Sequence, residues 1–256
     1  MKNKTLLLIC LIFAGTCLKA QNARFPTDGI IEFEKSTNMH ALIKKMTDGN
    51  PDGYFRDAFD AFKKNNPQFR IQKSTLAFSK SKTLFTPLAD KETSRSIFSD
   101  FVVDQCNITY TDLAAGTFIT QKKVYEETFL VKDTTRKINW KITSEVRTIA
   151  GYECRRANAV ILDSIYVVAF YTDKIPVSGG PESFTGLPGM ILGVALPHEN
   201  VTWFAKMVTD RSLTANELKV PAKGKATDNK GLRATINSAL KDWGEYAQSA
   251  LKTFLL

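Results

Sequence analysis

From Phe69 to Val208 the apolar residues of this chain recur at every second position, in short runs separated by turns. Leu76 and Phe78 alternate with polar neighbours before Ser79-Lys80-Ser81-Lys82, and Ile108 and Tyr110 do so before the turn at 112–116. Ile138, Trp140 and Ile142 keep the same beat, and residues 152–161, 165–171 and 201–208 complete the series. A period of two sends successive side chains to opposite faces, so these runs predict an antiparallel sheet with one buried and one solvated face. Residues 29–34, with Ile30, Ile31 and Phe33, add an earlier strand.

Helical spacing frames the strands. Met39, Leu42, Ile43 and Met46 share one side of a helix over 38–47, and a Gly/Pro/Asp-rich break follows at 48–53. Phe55, Ala58, Phe59 and Phe62 then mark a second amphipathic helix running to about Lys64, an aromatic stripe that reads as core packing. Beyond a polar, lysine-bearing connector at 210–229, Leu232, Ile236, Leu240, Trp243, Ala247, Leu251 and Phe254 form one stripe of a long helix. Docking that stripe on the sheet buries it without a second molecule. The expected fold is α+β and β-rich: a curved antiparallel sheet with packed N-terminal and C-terminal helices.

The first twenty residues have the parts of a secretory signal: Lys2 and Lys4, an apolar stretch over 6–14, and Leu18-Lys19-Ala20 ahead of Gln21. Cleavage is expected after Ala20, and lipidation at Cys17 is the alternative, although Thr16 directly before it suits lipidation poorly. The chain then divides into a signal at 1–20, a β-rich domain at 21–209, and the connector with its helix at 210–256. Losing Lys2, Lys4 and Lys19 lowers the formal charge from +9 to +6. No apolar run in the remaining chain approaches the ~20 residues that span a bilayer. An exported protein meets little nucleic acid, so the basic surplus reads as solvated surface.

Cys106 and Cys154 remain after the signal, and in an oxidising compartment they are either a disulfide or two separate thiols. Neither has neighbours suited to a metal or to nucleophilic chemistry. The two histidines, His40 in a helix start and His198 in a Pro-His-Glu-Asn turn, lack metal-ligand spacing. No nucleophile elbow, phosphate loop or dinucleotide fingerprint is present. No cofactor, metal or complete catalytic site is therefore expected.

Residues 138–208 run from INWKIT through TIAGYECRRANA and IYVVAFYTDKIPVSGGP to FTGLPGMILGV. This ordered set resembles the GLPGLI proteins of Bacteroidetes, and QKKVYEETFLVKD at 121–133 is similar to the strand pair that precedes it there. Met190 stands where the family usually has Leu, and Phe170 where it often has Trp. The resemblance implies an exported protein with no assigned activity, of the kind often encoded near TonB-dependent outer-membrane transporters. The order of elements also resembles the half-barrel of periplasmic lipoprotein carriers, which implies a concave sheet.

Chemistry gives the naming motif a local meaning. Pro188 restricts Leu187 to an extended conformation. Pro188 and Gly189 suit the central places of a type II turn, and Met190, Ile191 and Leu192 then enter a buried strand. Either the segment is a structural corner, or Phe184, Gly186, Leu187, Pro188 and Gly189 form a preshaped lip for a ligand or partner, with Phe184 and Leu187 exposed. The expected function is non-enzymatic: binding a small apolar ligand or assisting a TonB-dependent transporter. A hydrolase assembled around His198 and a purely structural envelope protein are the alternatives. The mass of protein from its native host tests the processing: a chain beginning at Gln21 is expected, and a diacylglyceryl group on Cys17 overturns it.

Overall fold

The structure is a computed structural model and describes residues 25–48, 53–89, 105–244 and 246–256. The expected signal, its cut after Ala20, Cys17 and residues 49–52 of the break lie outside these residues, as do the side chains of Met46 and Phe55.

Twelve strands form one sheet: β1 (Asp28–Asn38), β2 (Phe69–Ser79), β3 (Lys82–Pro87), β4 (Ile108–Asp112), β5 (Thr117–Val124), β6 (Glu127–Thr134), β7 (Lys141–Ile149), β8 (Tyr152–Ile161), β9 (Ile165–Thr172), β10 (Met190–Leu196), β11 (Val201–Asp210) and β12 (Lys225–Thr227). Their order is β12-β6-β5-β4-β3-β2-β1-β11-β10-β9-β8-β7. Two meanders, β2–β6 and β7–β11, are joined side by side by β1, which pairs antiparallel with both β2 and β11. All pairings are antiparallel except β12 with β6. The hairpin between β7 and β8 closes through Ala150 and Gly151, both left-handed at φ +48° and +83°, which suits the right-handed twist of the strands.

The sheet is curved and unclosed. Strands β5 and β11 are five spacings apart, about 24 Å if the sheet were flat. Yet the Glu182 carboxyl faces both the Lys122 charge from β5 and the Trp203 indole from β11, so the sheet curls around it. On the concave face, β1 presents Ile31, Phe33, Lys35 and Thr37, all buried. The loop between β9 and β10 folds back into this concavity, bringing Ile175, Val177, Phe184 and Leu187 into one core with Ile31, Phe33, Leu76, Phe78 and Phe85. Helices α1 (Met39–Asp48) and α2 (Gly53–Asn65) pack on each other in a separate small cluster of Met39, Leu42, Ile43 and Phe59.

Three expectations change. The tail is two helices, α3 (Asn229–Ala239) and α4 (Tyr246–Leu255), rather than one. The first ends at Ala239 with Leu240 as its C-cap, and the chain turns through 240–244, where Gly244 adopts φ +57°. The stripe still docks: Leu232, Ile236, Leu240, Leu251 and Phe254 pack on Val124, Phe129 and Val131, while Trp243 stays exposed. The connector also contributes, because β12 adds an edge to the sheet. Secondly, Ile138 and Trp140 precede β7 instead of belonging to it. They lean on the core, and the Trp140 indole N–H donates to the Thr185 carbonyl at 2.9 Å.

Thirdly, the GLPG turn is tighter than type II. The Gly189 N–H donates to the Leu187 carbonyl at 2.8 Å, and the Met190 N–H that would close a four-residue turn donates to Ile175 at 3.0 Å instead. Gly189 still needs its freedom: φ is +143°, and a Cβ there would collide with the Thr172 carbonyl oxygen at the end of β9. Gly189→Val is expected to destabilise the protein by about 3 kcal/mol or more, read as a drop in the denaturation midpoint. An unchanged midpoint would disprove the backbone requirement.

Candidate functional site

The expected lip is not a lip. Phe184 and Leu187 are 3% and 1% exposed, and only Gly186 and Pro188 of the motif reach the surface. Local hydrogen bonds account for this inversion. Ser178 Oγ donates to the Leu187 carbonyl at 2.6 Å and accepts from the Gly186 N–H at 3.2 Å, so the loop is stitched onto itself. Phe184 then lies 6.3 Å from the Trp203 ring, inside the core.

Beside its apolar core the concavity holds a polar band. Continuing from β1 across β4 and β5, the inward side chains are Lys35, then Asn107, Thr109 and Thr111, then Thr120 and Lys122. Glu182, from the β9–β10 loop, reaches into this band. Two small chambers adjoin it, of about 50 and 30 Å³, and both are walled by Asn107 and Glu182. The larger adds Lys122, Arg136 and threonine hydroxyls; the smaller adds Lys35, Gln105 and Trp203. Thr109 and Thr120 share a hydrogen bond of 3.1 Å across the β4–β5 pair.

The tail closes the band from above. Lys122 Nζ donates to the Phe254 carbonyl at 2.7 Å and Arg136 to the Leu255 carbonyl at 2.7 Å. Ser183 Oγ donates to the Leu256 carbonyl at 3.2 Å. These are the orphan acceptors of the α4 C-terminus, where the helix dipole also favours cations. Burial still dominates the electrostatics: it pushes the Lys122 amine down to about 8, against the attraction of Glu182. It pushes the Glu182 carboxyl up, against the pull of Lys35 and Lys122.

Glu182 accepts from Asn107 Nδ2 at 3.3 Å, while the Trp203 indole N–H faces the same carboxyl without closing a hydrogen bond. The Oδ1 of Asn107 and Oε1 of Gln105 are buried and unsatisfied among the described residues. The sequence carried a signal for this band: Lys35 is in phase with Ile31 and Phe33, and Lys122 with Thr120 and Val124. An inward lysine in a strand is worth flagging because a buried charge needs a partner.

The remaining candidates stay apart. The structure has no disulfide between Cys106 and Cys154. Cys106 is exposed just before β4, and β4 and β8 are seven spacings apart in the sheet order. Cys154 is buried on β8, where burial pushes its thiol up to about 12, an inert state. His198 lies exposed on the 3-10 turn Pro197–Glu199, its ring beside Tyr166 at 6.4 Å. Among the described residues no three His, Cys, Asp or Glu side chains are grouped to hold a metal, and no helix is long and apolar enough to cross a membrane.

The Glu182 shift has a sign that can be measured. A carboxyl raised above its usual 4.5 binds its proton more tightly in the folded state, so folding stability falls as pH rises from 4.5 through the folded-state value. Glu182→Gln is expected to flatten that part of the profile, read from urea midpoints across pH. A slope unchanged by the substitution would show that Glu182 is not the titrating group.

A family model described as "Protein of unknown function (Porph_ging)" matches residues 159–193, which run from β8 through β9 and the folded-back loop into β10. That stretch lies within the segment on which the GLPGLI resemblance rests. No curated protein matches the chain. Two solved structures of PNGF-II, in different space groups, are similar in fold, with TM-scores of 0.50 and 0.51 at 17% and 15% identity. They cover 82% and 81% of this chain, which spans about a third of their length (33% and 32%).

Proposed function

We propose that this chain is a non-enzymatic exported protein that acts by surface contact, as an accessory to an outer-membrane transporter, and does not carry an apolar ligand. The observation behind this reading is the filled concavity. A curved sheet of the lipoprotein-carrier kind would hold its ligand there, but the β9–β10 loop and helices α3 and α4 occupy it. The two chambers beside the polar band, about 50 and 30 Å³, are walled by Lys, Glu, Asn and Thr together with apolar side chains such as Phe118, Leu232, Phe184 and Val201, and they have room for a few waters. Ligand pockets run to roughly 300–1,000 Å³, so size sets these two chambers apart from them.

Contact surface is available at the open edge of the sheet. β7 is exposed along nearly its whole length, and Ile142, Val146 and Val160 on β7 and β8 are 44%, 51% and 60% exposed. An edge strand offers unpaired backbone groups to an incoming strand, and Lys141, Glu145 and Arg147 limit that pairing to a partner that answers their charges. A purely structural envelope role draws on the same filled concavity; it differs in predicting no transporter contact.

Two measurements on the mature protein separate these readings. Native mass spectrometry and displacement of a fluorescent fatty acid are expected to show no bound or competing lipid; a saturable one-to-one lipid complex would return the carrier reading. Capture from native outer membranes is expected to retain a TonB-dependent transporter, with capture lost in a Val146→Lys, Val160→Lys double variant that still melts cooperatively. Failure to retain any transporter would leave the structural role.

A further inference from the structure

Three groups in the polar band have complementary reactivity and stand together: a buried amine, a buried carboxamide and a buried carboxyl. The register of β4 with β5, which pairs Ile108 with Gln121, sets Asn107 opposite Lys122 when continued by one residue. Both side chains turn to the concave face and both are buried, at 5% exposure each. Directly opposed residues of an antiparallel pair hold their Cβ atoms about 4.5–5.5 Å apart. The four-carbon stem of Lys122 therefore has length to spare in bringing Nζ to Asn107 Cγ without moving the backbone. Glu182 Oε2 already holds the carboxamide, at 3.3 Å from Nδ2, and among the described residues Asn107 Oδ1 has no hydrogen-bond partner.

We propose that Lys122 and Asn107 condense to an intramolecular isopeptide bond, with Glu182 moving the proton. The lone pair of neutral Nζ adds to Asn107 Cγ, and the carbonyl π electrons go to Oδ1. A half-turn of the carboxamide exchanges Nδ2 for Oδ1 at Glu182, whose protonated carboxyl then donates to the developing oxyanion. Collapse of the adduct breaks the Cγ–Nδ2 bond. Glu182, now a carboxylate, takes a hydrogen from Nζ and passes it to Nδ2; ammonia departs, and the Oδ1 proton returns to Glu182 as the carbonyl reforms, which restores its starting state. One N–C bond forms and one breaks, so no oxidant, metal or cofactor is needed.

The surroundings favour this chemistry. Burial lowers the Lys122 amine to about 8 and raises Glu182, so both groups are shifted towards the neutral amine and the protonated acid that the reaction needs. The chamber lined by Asn107, Lys122 and Glu182, all three buried, has space for the departing ammonia. The product replaces a buried charge with a neutral amide, whose remaining N–H can keep the Phe254 carbonyl that Lys122 now holds.

Intact-mass spectrometry of the folded full-length protein, aged at neutral pH and then denatured, tests the proposal. The wild type is expected to be lighter than its sequence mass, after N-terminal processing, by one ammonia. Its tryptic digest should lack cleavage after Lys122 and contain a branched peptide joining Asn107 to Lys122. Lys122→Met, Asn107→Ala and Glu182→Gln are each expected at full mass. A wild type at full mass, cleaved normally after Lys122, would overturn the proposal without recourse to any variant. So would an ammonia loss that persists in Lys122→Met, since that places it in a succinimide elsewhere. Loss retained in Glu182→Gln would overturn the role given to the carboxyl.

Discussion

Strand β1 is hydrogen-bonded along both sides, to β2 over residues 28–38 and to β11 over 29–37. It is the one element that turns two sequential meanders into a single sheet. Its alternation decides what the concavity contains: Ile31 and Phe33 enter the core, and Lys35 and Thr37 follow them inward. A slip of one residue would move all four to the outer face. Burying Ile31 and Phe33 contributes roughly 1.5–3 kcal/mol each, so the register is strongly set. Lys35 is carried inside by its neighbours, and the polar band begins with it.

A polar band inside a curved sheet is costly unless its groups find partners. Here the partners come from segments remote in sequence. The end of α4 supplies carbonyls to Lys122 and Arg136, and the β9–β10 loop supplies Glu182. These bonds tie the docked tail to the sheet as the apolar stripe does, and they explain why the tail ends over the band. The compensation is incomplete, since both Lys122 and Glu182 are shifted towards their neutral forms by desolvation. Buried groups of this kind hold stored reactivity as well as structure.

Legibility followed the range of the interaction. Strands β8, β9 and β11, the entry into β10 and helices α1 and α2 were readable because each follows a local period. Gly189 was readable as a special backbone position, though its turn closes over three residues. Ile138 and Trp140 kept the strand beat without joining β7, because the Trp140 indole is drawn to Thr185, forty-five residues away. The single long tail helix is broken after Ala239, where a turn over 240–244 interrupts an otherwise continuous stripe. Phe184 and Leu187 looked exposed because Gly and Pro surround them; Ser178 and the curl of the sheet make them core. The Asn107–Lys122–Glu182 cluster needs both a strand register and a loop contact, and no local pattern contains either.

The folded-back loop ties the family match to this physics. Residues 159–193 take in the end of β8, all of β9, the folded-back loop and the entry into β10, and that loop is one of the segments that fill the concavity. Gly and Pro are needed there because the loop must pass tightly over β9, with the Gly189 backbone against Thr172, and still deliver Phe184 and Leu187 to the core. A motif used in this way serves the fold: it buries Phe184 and Leu187 in the core and carries Glu182 into the buried band beside Lys122.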